Sequence, residues 1–550
     1  MVNKSIKKLF VGFAFLSATN LVVASQALTT SQNFLQPRAF STNIAREMLM
    51  EGAKHRDSDG WYGLFSMTAA YQRSWTQGVE STSGNDLGSS VNPLGVLPFW
   101  SGTNVMTIGT NLSNGTDFDA YQFGMGPVTL AADSTITLDP IVYQAGADFM
   151  FIVGSSANEP GFFAKIKAPV GVYNMNPQLT ETSTTTSVPY VSGSLSTAAS
   201  ADTVADPATT MTQAFAGNTS GGQTAQGDFT AMQYGLINSD QSTGAKFGDI
   251  EMTAGYAFVS NHDNSFNIAV RASAPTGNKA TGEYILEPIF GRGGNWGLGG
   301  YAAGHVNIWE GNNDNRFQLK FMSEAMHLFT TDTVRSYDLT ANGVGSKYLL
   351  VANYASDSYQ SGTGAIQNLI NFTTLASESS FGVEGDVAVS FAYIARGWSV
   401  DLGYEFFGRS AETLVVTGTL ANNYAILGRQ GVAVSGGAGT QMNACQPFAT
   451  ISSSLANSDA VQAGTTVVTT NIVAVATASG NRITGVDALN VTDEQQAAYL
   501  TSKVFSKVAY EWVDSDYRPH LGVMGEFEIS NANNNALPQW SVLIVGGVSF

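Results

Sequence analysis

The sequence predicts an all-β chain, a transmembrane antiparallel up-and-down β-barrel of about 16 strands (range 12–18) with long extracellular loops. Three observations carry this reading. The segment Trp540 to Phe550 alternates apolar side chains and ends the sequence on an aromatic residue. Hydrophobic residues make up 43% of the chain, yet beyond residue 27 they form no run long enough for a spanning helix, so they are dispersed in short segments as strands disperse them. Charged residues are only 12% of the chain, about half the share usual in soluble domains.

At the amino end, Lys4, Lys7 and Lys8 precede an apolar stretch from Leu9 to Ala18, and small residues follow at Ser25 and Ala27. This is the shape of a secretory signal peptide, residues 1–27, cleaved after Ala27. Ser17, Thr19 and Asn20 interrupt the stretch, which makes it unsuited to a permanent span of about 20 residues. Residues 28–60 form a segment ahead of the barrel, periplasmic or in the lumen. Within it Ser41 to Lys54 reads as a short helix, with Ile44, Met48 and Leu49 on one face. A place on the periplasmic side or at the mouth of the lumen suits it.

Residues 61–550 are assigned to the barrel and its loops. The clearest strands put charge on one face only. Residues 520–530 set Leu521, Val523 and Phe527 against Glu526 and Glu528, and residues 503–513 set Val504, Val508 and Trp512 against Lys503, Lys507 and Glu511. Residues 397–407 set Trp398, Val400 and Leu402 against Asp401 and Glu405, and residues 381–393 set Phe381, Val383, Phe391 and Tyr393 against Glu384 and Asp386. Less regular alternation occurs at 315–329, 295–309, 264–273, 249–259, 161–173, 141–153 and 61–72. The weakest segments are 282–290, 229–237, 118–130 and 103–111.

With Phe550 at the periplasmic rim, alternating strand direction puts the long connections 74–102, 174–228, 330–380 and 408–502 all outside, as such barrels require. The short connections 112–117, 154–160, 238–248, 274–281, 310–314, 394–396 and 514–519 then form the periplasmic set. Gly291 to Asn295 and Ala274 to Asn278 carry turn residues. Residues 178–227, rich in Thr, Ser, Ala and Gly, read as a surface loop. In the largest loop Thr465 to Val475 reads as a hairpin or an insertion into the lumen, and Thr492 to Gln495 matches a capping box, predicting a short helix over 493–501.

Removal of the signal takes three lysines from 25 basic residues and none of the 43 acidic ones, leaving a strongly acidic chain. That balance argues against nucleic acid as a partner. The single Cys445 forms no internal disulfide and reads as an unpaired loop thiol. Five histidines are scattered over separate segments, and no HExxH, GxSxG or CxxC pattern occurs. No catalytic residue, metal site or cofactor is therefore expected.

The carboxylates are more informative. Glu384, Asp386, Asp401 and Glu405 share the inner face of two adjoining strands, and Arg271, Arg316, Lys320, Lys503 and Lys507 face the same lumen. Such a lining either selects ions by charge or fills the barrel with salt bridges. Tyr393, Trp398 and Trp512 lie near strand ends and match an interfacial aromatic girdle. Tyr301 and Trp309 fall on the lumen row.

The export signal, alternating strands and terminal phenylalanine together resemble bacterial outer-membrane β-barrels of the porin-like kind. The resemblance implies an address in the outer membrane of a diderm bacterium, contact with its lipid and lipopolysaccharide, and a final strand read by the barrel-assembly machinery. Trp540, Val548 and Phe550 would carry that assembly signal. Leu543 and Val545 depart from its usual polar and glycine positions. The expected function is an outer-membrane channel for passive diffusion of small hydrophilic solutes. A surface structural or adhesin barrel with a blocked lumen and a barrel for hydrophobic substrates are the alternatives, and an exported soluble β-sandwich is the competing fold.

Overall fold

The computed structural model describes residues 38–51, 60–75, 105–109, 117–123, 134–138, 140–183, 210–217, 225–226, 229–238, 240–261, 263–311, 315–353, 366–420, 424–426, 432–433, 440–441, 451, 483, 485–515, 517–530 and 538–550. Residues 1–27, expected to be a signal peptide, Cys445 and the segment Thr465 to Val475 lie outside them.

Twelve strands close into a ring. They are β1 (Tyr62–Ser74), β2 (Ile141–Gly154), β3 (Gly161–Asn176), β4 (Ile250–Ser260), β5 (Asn264–Ala274) and β6 (Gly297–Glu310). β7 (Arg316–Ser336), β8 (Thr374–Ala395), β9 (Trp398–Arg409), β10 (Tyr499–Glu511), β11 (Arg518–Ser530) and β12 (Gln539–Ser549) complete it. Each strand is antiparallel to the next, and β12 returns to β1. Closure leaves no unpaired edge. At the seam the Phe550 amide donates to the Gly63 carbonyl at 2.9 Å, and the Gly63 amide donates to the Phe550 carbonyl at 2.7 Å.

The side chains are arranged inside out. On β11, Leu521, Val523 and Phe527 are exposed on the outer wall while Glu526 and Glu528 are buried inside. Period-two alternation produces this directly, since one row must face in and the other out.

The two ends of the ring differ. At the turn end, where Phe550 lies, the connections are 155–160, 261–263, 311–315, 396–397 and 512–517. At the loop end they are 75–140, 177–249, 275–296, 337–373, 410–498 and 531–538. The tightest link is Arg396-Gly397, both with positive φ, between the paired residues Ala395 and Trp398. Two consecutive left-handed residues make a turn whose twist matches the hairpin's own.

The strand number is lower than the sequence suggests, at the bottom of its range. The four weakest segments are those missing from the ring. Val105–Gly109 and Phe118–Asp119 are five and two residues long, and join Ser134–Thr137 and Thr180–Ser183 in a separate four-stranded sheet. Phe229–Thr230 belongs to another small sheet, and residues 282–290 contribute only an isolated bridge, Tyr284 to Leu236. Among the described residues, all fall well short of the 9 to 11 residues a tilted spanning strand needs. Loss of 229–237 and 282–290 together reverses only β4 and β5, the strands between them. Connections 238–248 and 274–281 therefore lie at the loop end, not with the short turns, while the four long connections stay together. The loop-end elements share one apolar core, including Met106, Ile108, Phe118, Phe123, Phe215 and Tyr348.

Three local expectations also change. A bulge on β8 between Phe381 and Glu384, three steps against two on β7, reverses the inward phase there, and Phe381 is fully buried rather than outward. A bulge between Asn307 and Trp309 turns Trp309 out of the lumen row onto the outer wall. The capping box at Thr492 opens no helix. Asn490 accepts from the Asp493 amide at 3.3 Å, the Gln496 amide donates to Glu412 at 2.9 Å, and β10 begins at Tyr499.

Candidate functional site

The interior of the barrel is occupied by the segment preceding β1. Its helix α1 (Ile44–Met50) is shorter than the 41–54 expected, and every one of its residues is buried. Asn43 caps it, accepting from the Arg46 amide at 2.9 Å. A seven-residue helix is marginal on its own, so its order comes from the wall around it.

That wall is a lattice of charges matched to α1. On one side Glu47 faces three cations: Lys165 and Lys167 of β3, the latter at 2.9 Å, and Arg271 of β5 at 3.1 Å. Opposite, Arg38 is paired with Asp386 of β8, Glu405 of β9 and, at 3.3 Å, Glu528 of β11. Arg46 reaches Asp148 of β2 at 2.6 Å and Gln72 of β1 at 2.9 Å, and lies over the Phe40 ring. The Asn43 amide group donates to both oxygens of Glu526 at 3.0 Å. At the helix's other end Lys507 of β10 donates to the Leu49 carbonyl at 2.8 Å, complementing the negative end of the helix dipole. The Tyr301 hydroxyl of β6 donates to Glu51 at 3.2 Å. Residues 38–51 are thus bonded directly to β1, β2, β3, β5, β6, β8, β9, β10 and β11.

A further tier continues the lattice between strands. Arg292, from the glycine-rich loop-end turn, pairs with Glu251 and Glu384, each at 2.8 Å. Lys167 pairs with Glu251 at 2.8 Å, Lys320 with Asp401 at 2.8 Å and Lys503 with Glu405 at 2.9 Å. Isolated charges could not be held here, because desolvation costs several kcal/mol per ion. Pairing on several sides is what makes their burial tolerable.

Of the residues singled out from sequence, Glu384, Asp386, Asp401, Glu405, Arg271, Lys320, Lys503 and Lys507 all lie inside the ring and join this lattice. Arg316 stands half-buried at the turn end of β7. Tyr393, Trp398 and Trp512 are exposed on the outer wall near the turn end, and Tyr510 packs between the two tryptophans at 5.1 and 5.2 Å. Trp540 lies at the opposite end of β12, beside Tyr71; Val548 is half-buried and Phe550 exposed. Sequence reasoning passed over Arg38, Arg46 and Glu47. The adjacent opposite charges Arg46-Glu47 within a helix that also carries an apolar face were the available signal.

The fold and site define a class: a closed β-barrel whose interior is filled at mid-height by its own amino-terminal helix. Solved structures similar to this chain are bacterial outer-membrane channels. An outer-membrane channel from Pseudomonas putida F1 is 9% identical, with 89% of this chain and 96% of that one covered and a TM-score of 0.35. The P. putida toluene transporter TodX is 9% identical over 94% and 95%, with a TM-score of 0.28. A deletion mutant of the TodX monoaromatic hydrocarbon channel is 10% identical over 96% of each chain, with a TM-score of 0.30. No protein-family model and no curated protein sequence matches the chain.

Proposed function

We propose that this protein is an outer-membrane channel for small hydrophilic solutes, closed in the described conformation by α1. The outer wall supports the membrane placement. Phe65, Phe151, Val270, Leu402, Val508, Val523 and Ile544, from strands all around the ring, are exposed apolar side chains. Along β12 the ten steps from Trp540 to Phe550, at about 3.4 Å each and tilted by about 40°, give a height of roughly 26 Å, close to the apolar band of such barrels. Trp398 and Trp512 mark one border, and Trp540 and Tyr71 the other. The short-turn end would face the periplasm and the long connections the outside.

The single observation that carries a gated channel is the charged lattice. A lumen used only as filler could be packed with apolar side chains at lower cost, because replacing buried ion pairs by packed apolar groups is often neutral or stabilising. A polar wall suits a passage that becomes wet when α1 shifts, since water then solvates the released charges.

The test is single-channel recording in planar bilayers. The wild-type chain should show rare, brief openings, and a variant lacking residues 38–51 should conduct steadily. A folded, heat-modifiable barrel that conducts in neither form would overturn the channel reading and leave a surface coat or adhesin.

A further inference from the structure

The lumen wall holds one guanidinium group by both its edge and its face. Arg38 pairs through Nη2 with Asp386 of β8 and Glu405 of β9, and through Nη1 with Glu528 of β11 at 3.3 Å. One face of the group lies over the Phe407 ring of β9, 4.5 Å from its centroid. All four wall residues are buried, none more than 1% exposed. A planar cation whose edge meets carboxylates while its face lies on an aromatic ring is held by shape as well as by charge. An ammonium is a point charge without that planar fork.

The charge on this arc is not matched by the wall itself. Glu405, Glu526 and Glu528 share Lys503, which lies 2.9 Å from the first and 3.9 Å from each of the others. Among the described residues, Asp386 is ion-paired with Arg38 alone. The arc that faces Glu47 differs, because Lys167, Arg271 and Arg292 keep Glu251, Glu324 and Glu384 as wall partners of their own. Removing one partner of a buried ion pair is strongly destabilising. The β8 to β11 arc therefore calls for a replacement cation whenever residues 38–51 move away, and the shape left behind is that of a guanidinium.

We infer that Asp386, Glu405, Glu528 and Phe407 form a binding site for an alkylguanidinium cation, filled by Arg38 while the lumen is closed and by a guanidinium-bearing solute when residues 38–51 move away. Arg38 is then a tethered competitor of the solute. The exchange with solute rests on the channel reading; the site itself does not.

Chemical rescue tests the site, since Arg38→Ala removes the equivalent of ethylguanidinium and leaves the rest of the full-length chain in place. The probes are ethylguanidinium, ethylammonium and the neutral isostere ethylurea, at millimolar concentrations that do not denature. Ethylguanidinium should raise the thermal midpoint of Arg38→Ala in detergent saturably, with ethylammonium weaker by about tenfold, as for one lost charge-assisted hydrogen bond, and ethylurea without effect. The wild-type chain, its site already filled, should show no such rise. Where Arg38→Ala does not refold unaided, the yield of heat-modifiable barrel refolded with each probe gives the same ranking. In bilayers, ethylguanidinium should make openings of the wild-type chain more frequent, a measurement that needs no variant. Ethylammonium or ethylurea matching ethylguanidinium, an equal rise in the wild-type chain, or no response of Arg38→Ala to any probe overturns the site. Unchanged openings of a conducting wild-type chain overturn the exchange with solute. Rescue by ethylguanidinium with no conduction from any form removes the channel reading and leaves the site standing. Conduction without rescue removes the site and leaves the channel.

Discussion

Glu47 is the carboxylate on which three cations converge, and its removal would leave Lys165, Lys167 and Arg271 facing one another around a void. Glu47→Ala should therefore destabilise the docked helix by about 3–5 kcal/mol, the range for breaking a buried ion pair from one side. Thermal unfolding in detergent and opening frequency in bilayers both report it. A second residue acts outside the ring. Burial pushes the Glu494 carboxyl up to about 8, against the pull of the Lys347 ammonium 2.7 Å away. Because the folded value lies above the ordinary 4.5, protonation favours the folded form of the loop-end elements around it. Its stabilising contribution is complete below about 4.5 and is lost as the pH rises through 8. Hydrogen exchange over residues 338–349 and 485–496, corrected for intrinsic rate, should quicken from pH 5 to pH 9, and Glu494→Gln should flatten that dependence.

Among the elements, β12 shows how much one terminal residue contributes. Phe550 closes the last pair of hydrogen bonds with Gly63 of β1, so its deletion should lower the yield of heat-modifiable barrel in refolding and impair membrane assembly; normal insertion of the truncated chain would refute this. Strands with charge on one face, such as β9 and β11, were legible because each face has a single environment along its whole length. The interruptions were not legible. Nothing in Asn307-Ile308-Trp309 announces the bulge that turns Trp309 outward, because a bulge is set by the partner strand's register rather than by its own side chains. The helix α1 was visible as a helix, but its place inside the ring was not. The partners of residues 38–51, which carry it, lie on strands up to 490 residues away, Arg38 to Glu528 being the extreme.

At the scale of the whole molecule, the outer apolar belt makes a spatial prediction. In vesicles containing brominated lipids, Trp309, Trp398 and Trp512 should all be quenched most strongly by bromines near the headgroup. Quenching of Trp309 at mid-bilayer depth, or none at all, would contradict its place on the outer rim. The count of twelve strands was harder to read than their existence. Short apolar segments such as Val105–Gly109 carry the same alternation as a wall strand, and only their length and their partners in a side sheet set them apart.

The lattice around α1 bears finally on how the chain finds its register. A strand that slipped by one residue would send its whole inner row outward, so Lys167 or Glu526 would point away from the barrel interior instead of at Glu47 or Asn43. Hairpins alone cannot detect every such error, since two neighbours can slip together and keep their hydrogen bonds. A central segment, residues 38–51, bonded to β1, β2, β3, β5, β6 and β8 to β11 gives each of these strands one common reference. Any strand whose inner row had slipped would lose its bonds to that reference. A chain lacking residues 38–51 should then refold with lower yield and more misregistered product, and a synthetic peptide of those residues added in trans should restore the yield.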